Sequence, residues 1–374
     1  MRVLQLISSA GYYGAENMLV NLASGLGQLD CEPVVGAFRD PQGPEPDILG
    51  FARQRGLATW EFPCGGRLDR ASIAILRQQV SSGRFDVLHT HGYKANLYGW
   101  LAVDRRSRIS QIATCHNWPN RKGALALYAA LDRLILRRFP RVVAVSEGVQ
   151  ELLANFGIRP PQSDVINNGI DTGRFTGDVP GVRQELGLEG KTVVGTITRL
   201  VPGKGLELLI DCFPAAVQGH PEAVLLIAGA GPLETELKAQ AARLGLNRQV
   251  IFTGARSDMP AVYSALDLFV LASFDEGMPM TVLEAMSSAR AVIATRVGAI
   301  PRLIQDGVNG RLIEPRSAPA LTGALQSALA HAELRQKWGT AARQTIIQDF
   351  SALAMARQYL QHYRAIAEVK REAA

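Results

Sequence analysis

No apolar stretch in this chain approaches the roughly 18 residues that a membrane-spanning helix needs, so no transmembrane segment is expected. The opening Met1-Arg2-Val3-Leu4-Gln5-Leu6-Ile7 is apolar for too short a run to be a secretory signal, and a cytoplasmic location is expected. Cysteine is scarce: Cys31, Cys64, Cys115 and Cys212 lie far apart, without the spacing of a metal site, and are expected to be buried free thiols in a reducing compartment. Aromatic residues make up 6% of the chain, too few to suggest a β-sandwich or a stacking platform for nucleic acid. No zinc-finger, recognition-helix or aromatic-interleaved basic motif occurs, so nucleic acid is not an expected partner. The turn Gly11-Tyr12-Tyr13-Gly14 does not fit G-x-G-x-x-G, which argues against a dinucleotide-dependent oxidoreductase.

What is present is a chain of 374 residues, long enough for two domains that each bury their own core. Its net charge of +6 suits anionic partners, although solubility alone would also account for it. Short apolar runs recur with helical patterns between them. Six lie in the first half (3–8, 33–38, 86–91, 111–116, 141–146, 164–168) and six in the second (192–198, 224–229, 250–254, 268–273, 292–297, 310–314). They are nearly continuous in apolar residues rather than alternating, as parallel strands covered on both faces are. Strand–helix alternation then predicts an α/β protein with two doubly wound, Rossmann-like sheets. The boundary is expected after Asn168-Gly169-Ile170-Asp171. Residues 1–171 form the first domain, the turn-rich 172–190 a linker, 191–350 the second domain, and 351–374 a closing helix.

Ligands of such sheets bind beyond the carboxyl ends of the strands, so the loops there carry the candidate chemistry. Arg199 and Lys204 follow the first strand of the second half, with Gly203 and Gly205 flanking the lysine. A planar fork and a compact charge together suit a diphosphate. The segment Glu276-Gly277-Met278-Pro279-Met280 leads into a helix that carries Glu284 among apolar neighbours. A carboxylate in such company needs a partner, and a ribose diol is a suitable one. Glu276, aided by the amides of the helix start, suits sugar hydroxyls. In the first half, His89 and His91 close one strand and His116 closes the next. They suggest a shared cleft, with a structural role or metal binding as alternatives. Gly229-Ala230-Gly231-Pro232 offers a good helix start at Pro232, but its glycines by themselves fit simple close packing better than a ligand turn.

Taken in order and spacing, these segments make the chain resemble glycosyltransferase family 4, the retaining group 1 transferases of GT-B fold, over nearly its whole length. The resemblance rests on Glu276-x7-Glu284, Arg199-Leu200-x3-Lys204-Gly205, Gly229-x-Gly231-Pro232, Asn168-Gly169-Ile170-Asp171 and Gly14-Ala15-Glu16. It implies two domains facing each other across a cleft, with the final helix crossing back to the first. It implies a hexosyltransferase of polysaccharide biosynthesis that takes sugar from a nucleotide-diphosphate donor to a glycan, lipid-linked or small-molecule acceptor. Retention would proceed without a protein nucleophile. Arg199 and Lys204 would bind the diphosphate. Glu284 would hold the ribose, and Glu276 with Gly277, Met278, Pro279 and Met280 would grip the sugar. His116 would stand beside the sugar, and Gly14 near the phosphates. No Asp-x-Asp pair occurs, which favours charge neutralisation by these cations and helix amides over a metal ion, with no cofactor besides the nucleotide sugar. Tyr13, Thr198 and Arg302 depart from the family's pattern, where glycine, glycine and glutamate are usual. An epimerase of the same architecture would turn over donor without acceptor, and a non-catalytic sugar-nucleotide-binding subunit would not turn it over at all. The stretch Arg121 to Arg141, with Leu125, Leu127, Tyr128, Leu131, Leu134 and Ile135 between basic ends, reads either as a core helix or as one lying on the anionic inner face of a membrane.

Overall fold

The computed structural model describes residues 1–9, 11–66, 68–104, 107–116, 124–177 and 179–372, with backbone alone at 124–126 and 371–372. The chain divides into two compact units, Met1–Asp171 with Ser351–Ala374, and Thr172–Phe350.

In the first unit, seven strands form one sheet: β1 (Arg2–Ile7), β2 (Glu32–Arg39), β3 (Ala58–Pro63), β4 (Val87–His91), β5 (Ser110–Cys115), β6 (Val142–Ala144) and β7 (Ser163–Val165). Their order is β3-β2-β1-β4-β5-β6-β7, and every pairing is parallel. Alternate side chains enter opposite cores. Leu4, Leu6, Val34 and Phe38 pack on one face, and Ile7, Val35 and Ala37 on the other. The edge strand β3 has no counterpart among the six apolar runs, because Thr59, Glu61 and Pro63 interrupt it. An edge strand covered less completely tolerates polar residues and proline.

The second unit holds β8 (Thr192–Ile197), β9 (Ala223–Ala228), β10 (Val250–Gly254), β11 (Leu268–Leu271), β12 (Ala291–Thr295) and β13 (Arg311–Ile313). They lie in the order β10-β9-β8-β11-β12-β13, again parallel. Strand order reverses between β1 and β4 in the first sheet and between β8 and β11 in the second. There the outgoing loops diverge and leave a crevice at the carboxyl edge.

The last helix, Ala352–Glu372, packs on the first unit against the helix Gly14–Leu26. Two glycines permit the approach. A Cβ on Gly25 would stand 2.4 Å from the carbonyl oxygen of Ala352, and one on Gly169 would stand 2.5 Å from that of Ser351. The Asn168-Gly169-Ile170-Asp171 segment thus meets the returning chain directly, and the Ala352 amide donates to the Ile170 carbonyl at 2.8 Å. All four cysteines are buried and free.

Candidate active site

At the β8/β11 reversal of the second unit, two loops are laced together. After β8 the chain runs through Arg199 and Lys204 to Gly205, which caps the helix Leu206–Ala216 at φ 67°. A side chain could not stand there, since a Cβ would lie 2.0 Å from the carbonyl oxygen of Ala272. The Phe274 amide donates to the Gly203 carbonyl at 2.8 Å, joining the loop after β11 to the loop after β8. Between them the Lys204 ammonium donates to Glu276 Oε1 at 2.6 Å, with the two side chains only 17% and 12% exposed. Arg199 is exposed on the same loop. Gly229 and Gly231 serve close packing: Cβ atoms there would fall 1.9 Å and 2.3 Å from the carbonyl oxygens of Thr198 and Leu200.

The loop after β11 carries Glu276, Gly277, Met278 and Pro279 into the helix Met280–Ser287. Pro279 caps that helix without a side-chain hydrogen bond, so no cap side chain engages its first-turn amides. The loop after β12 braces the same segment from the other side. Gly298 sits at φ 53°, its missing Cβ 2.0 Å from the Glu276 carbonyl oxygen, and the Ala299 amide donates to the Gly277 carbonyl at 2.8 Å. A single glycine after a strand has no distinguishing spacing, so Gly298 carries no mark in the sequence.

Glu284 lies on the second turn of the helix, 4% exposed. Tyr263, fully buried on the helix Met259–Ala265, donates its hydroxyl to Glu284 Oε2 at 2.8 Å. Burial first, and the adjacent carboxylate second, hold that phenol protonated far above its ordinary range. A neutral donor thus fixes one face of the carboxylate without cancelling its charge. No local motif marks Tyr263, which reaches Glu284 only through the fold.

Gly14 and His116 belong to the first unit. Gly14 opens the helix Gly14–Leu26, whose cap is Tyr13. The Tyr13 amide donates to the Glu16 carboxylate at 3.1 Å, and its exposed ring lies over Gly11, where a Cβ would fall 2.7 Å from it. His89 and His91 alternate along β4 and share one face of the sheet. His91 Nδ1 lies 3.3 Å from Nε2 of His116, which directly follows β5. Burial, reinforced for His89 and His91 by the neighbouring imidazoles, keeps all three neutral. His89 and His91 titrate well below the ordinary range, and His116 is lowered to about 4. Among the described residues, no group of three or more His, Cys, Asp or Glu side chains is placed to hold a metal ion. Arg121, Lys122 and the side chain of Leu125 lie outside the described residues.

Two family models match the chain: "Glycosyltransferase Family 4" over residues 12–174 and "Glycosyl transferases group 1" over residues 179–345. A D-inositol 3-phosphate glycosyltransferase from Mycobacterium sp. (strain JLS) is 28% identical over 281 residues, covering 69% of this chain and 62% of the relative. The chain therefore matches less than two thirds of that relative's length. An Escherichia coli UDP-Gal:alpha-D-GlcNAc-diphosphoundecaprenol alpha-1,3-galactosyltransferase is 26% identical, covering 69% of this chain and 70% of the relative. Among solved structures, Anabaena HepE in complex with UDP-glucose superposes with a TM-score of 0.83 at 24% identity, covering 98% of this chain and 100% of that one. Sucrose-phosphate synthase from Thermosynechococcus elongatus does so with a TM-score of 0.78 at 20% identity, covering 99% and 100%. The shared architecture is the GT-B fold, two parallel-sheet α/β domains.

Proposed function

The chain belongs to glycosyltransferase family 4, and from that membership we propose that it transfers a hexose from a nucleoside-diphosphate donor with retention of anomeric configuration. The observation that carries this reading is the cation–carboxylate pair Lys204–Glu276 at the β8/β11 reversal, beside a helix start whose cap supplies no side-chain acceptor. Arg199 and Lys204 take the donor's diphosphate and stabilise the charge that grows on the leaving group. Glu276 and the amides from Gly277 to Met280 hold the sugar, and Glu284 accepts from the ribose hydroxyls. From the family resemblance we also propose a role for His116 toward the sugar and for Gly14 toward the phosphates. The C1–O bond to the diphosphate breaks as the acceptor oxygen bonds C1 from the same side. The acceptor's proton passes to the departing phosphate oxygen, which leaves as a nucleoside diphosphate. Charge neutralisation rests on the two cations and on helix amides, without a metal ion. Uridine diphosphate is the proposed carrier, in line with the UDP-glucose held by Anabaena HepE.

The acceptor we propose is lipid-linked and met at the anionic, cytoplasmic face of a membrane. Leu127, Leu131 and Leu134 on the helix Ala124–Leu136 are exposed at spacings of four and three, which puts them on one face. Arg137 and Arg138 follow, both exposed. Apolar residues ending in cations suit a headgroup boundary, and the Escherichia coli relative is named for a diphosphoundecaprenol acceptor. No helix among the described residues is long and apolar enough to cross a membrane, so binding would be peripheral. Flotation with phosphatidylglycerol vesicles should recover the protein, and Leu127→Glu with Leu131→Glu should abolish recovery. Equal recovery of wild type and variant removes this part of the reading.

A thermal-shift panel of nucleotide sugars tests the donor assignment. A donor at a hundred times its Kd stabilises by about 2.7 kcal/mol, and Lys204→Ala should lose most of that gain. No response to any nucleotide sugar, or an equal response in Lys204→Ala, overturns it.

A further inference from the structure

Six polar side chains of the first unit are buried together: Gln5 on β1, His89 and His91 on β4, Thr114 on β5, and Tyr359 and Tyr363 on the final helix. None is more than 1% exposed. So much buried polarity is tolerable only where each group finds a partner, and the partners form an unbroken file. His116 Nε2 lies 3.3 Å from His91 Nδ1, and His91 Nε2 lies 2.9 Å from Gln5 Oε1. Gln5 Nε2 donates to the Tyr363 hydroxyl at 2.9 Å. That hydroxyl lies 2.7 Å from His89 Nδ1, and His89 Nε2 lies 2.8 Å from Thr114 Oγ1. Thr114 Oγ1 is 2.9 Å from the Tyr359 hydroxyl.

A neutral imidazole has one donor and one acceptor nitrogen, so placing a single proton places the rest. With the Gln5 oxygen toward His91, His91 must carry its proton on Nε2. Its Nδ1 is then an acceptor, and His116 must donate from Nε2. At the other end, Tyr363 accepts from Gln5 and donates to His89, which in turn donates to Thr114. The opposite orientation of Gln5 would reverse every proton in the file. The depressed titration of all three histidines agrees with a file that carries no charge.

We propose that Gln5 and His91 are positioning residues which, anchored by Tyr363 of the final helix, hold His116 in the neutral tautomer protonated at Nε2, with Nδ1 left to accept from a substrate hydroxyl. The second half of that statement rests on the reading of His116 as acting beside the donor sugar. A ring nitrogen that only accepts engages a hydroxyl and repels a carboxylate, so the substrate group it favours is a neutral one.

The test is a long-range proton–nitrogen correlation spectrum of the full chain with 15N-labelled histidine at pH 7.5, with His116 assigned through His116→Gln. Wild type should show His116 protonated at Nε2 alone. His91→Leu and Gln5→Leu should give a mixture of tautomers or the Nδ1 form. His91→Asn, whose side-chain oxygen can accept where Nδ1 did, should keep the Nε2 form. Tyr363→Phe, which preserves ring packing and removes only the hydroxyl, should shift the tautomer even if the leucine variants fold poorly. In donor turnover, His91→Leu should lose at least tenfold in kcat with donor KM within about threefold, and His91→Asn should recover most of the loss. An Nδ1-protonated His116 in the wild type, or an unchanged tautomer in both His91→Leu and Tyr363→Phe, overturns the proposal. Normal turnover by His116→Ala, with the tautomer pattern as expected, overturns instead the assignment of His116 to the reaction.

Discussion

Replacing Lys204 by Met, Glu276 by Gln, and then both together, separates the cost of the ion pair from its use. The charged atoms lie 2.6 Å apart, on side chains 17% and 12% exposed. At an effective dielectric of about 20, that separation corresponds to roughly 6 kcal/mol of gross attraction. Desolvation offsets most of it, leaving about 1.5–3 kcal/mol for a charged hydrogen bond. Removing one partner strands the other charge, so each single variant should lose about 2–3 kcal/mol in urea denaturation. The double variant strands nothing and should lose about 1 kcal/mol or less, a coupling of at least about 3 kcal/mol. The binding arm has opposite signs for the two residues. Glu276→Gln removes a negative charge from the lysine that we assign to the diphosphate, so uridine diphosphate should bind about tenfold tighter by titration calorimetry (about 1.4 kcal/mol). Transfer should nonetheless fall by about a hundredfold, because the sugar loses its carboxylate. Lys204→Met should weaken the same nucleotide by about tenfold or more. Additive stabilities with coupling under about 0.5 kcal/mol, or equal loss of nucleotide affinity in both variants, would show that Lys204 and Glu276 do not act as a pair at the diphosphate.

Three further outcomes are expected. Tyr263→Phe leaves the buried Glu284 carboxylate without its 2.8 Å donor, so stability should drop by about 1–3 kcal/mol and donor KM should rise more than kcat falls; unchanged KM would detach Glu284 from the ribose. Gly298→Ala drives a Cβ to 2.0 Å from the Glu276 backbone at φ 53°, whereas Gly203→Ala at φ 91° meets open space and incurs only backbone strain of about 1–2 kcal/mol; calorimetry should rank the first as clearly worse in both Tm and turnover. The pH effect follows from the neutral histidines. Because the pKa of His116 is lowered from 6.5 to about 4 in the folded state, the unfolded chain takes up its proton first as pH falls. The stability from this residue, no more than about 3 kcal/mol, is complete above pH 6.5 and is lost between there and about pH 4; His89 and His91 act in the same direction. Thermal melts from pH 7.5 to 4.5 should show that fall, and His116→Gln should flatten it.

Much of the architecture was legible because parallel strands buried on both faces write themselves as continuous apolar runs. All but one strand could be read that way. The exception, β3, is an edge strand whose Thr59, Glu61 and Pro63 carry no such signal. The motif residues Arg199, Lys204, Glu276 and Glu284 were legible too, since loop glycines and helix starts leave local marks. The lacing around them was not. Gly298 beneath the Glu276 carbonyl and Tyr263 against Glu284 have no sequence period, because the elements that bear them meet only when the sheet closes.

From the order of its residues alone, this protein was determined to be a two-sheet α/β chain with cations and carboxylates gathered on loops after particular strands. Periodicity and turn chemistry act over a few neighbours, so a linear reading reaches that far. Which groups pair was decided by the tertiary structure. Lys204 meets Glu276 across 72 positions, and His89 meets Tyr363 across 274. Those partnerships arise where strand order reverses and where the final helix returns, and hydrogen bonds there depend on distances of about 3 Å that only the packed chain sets.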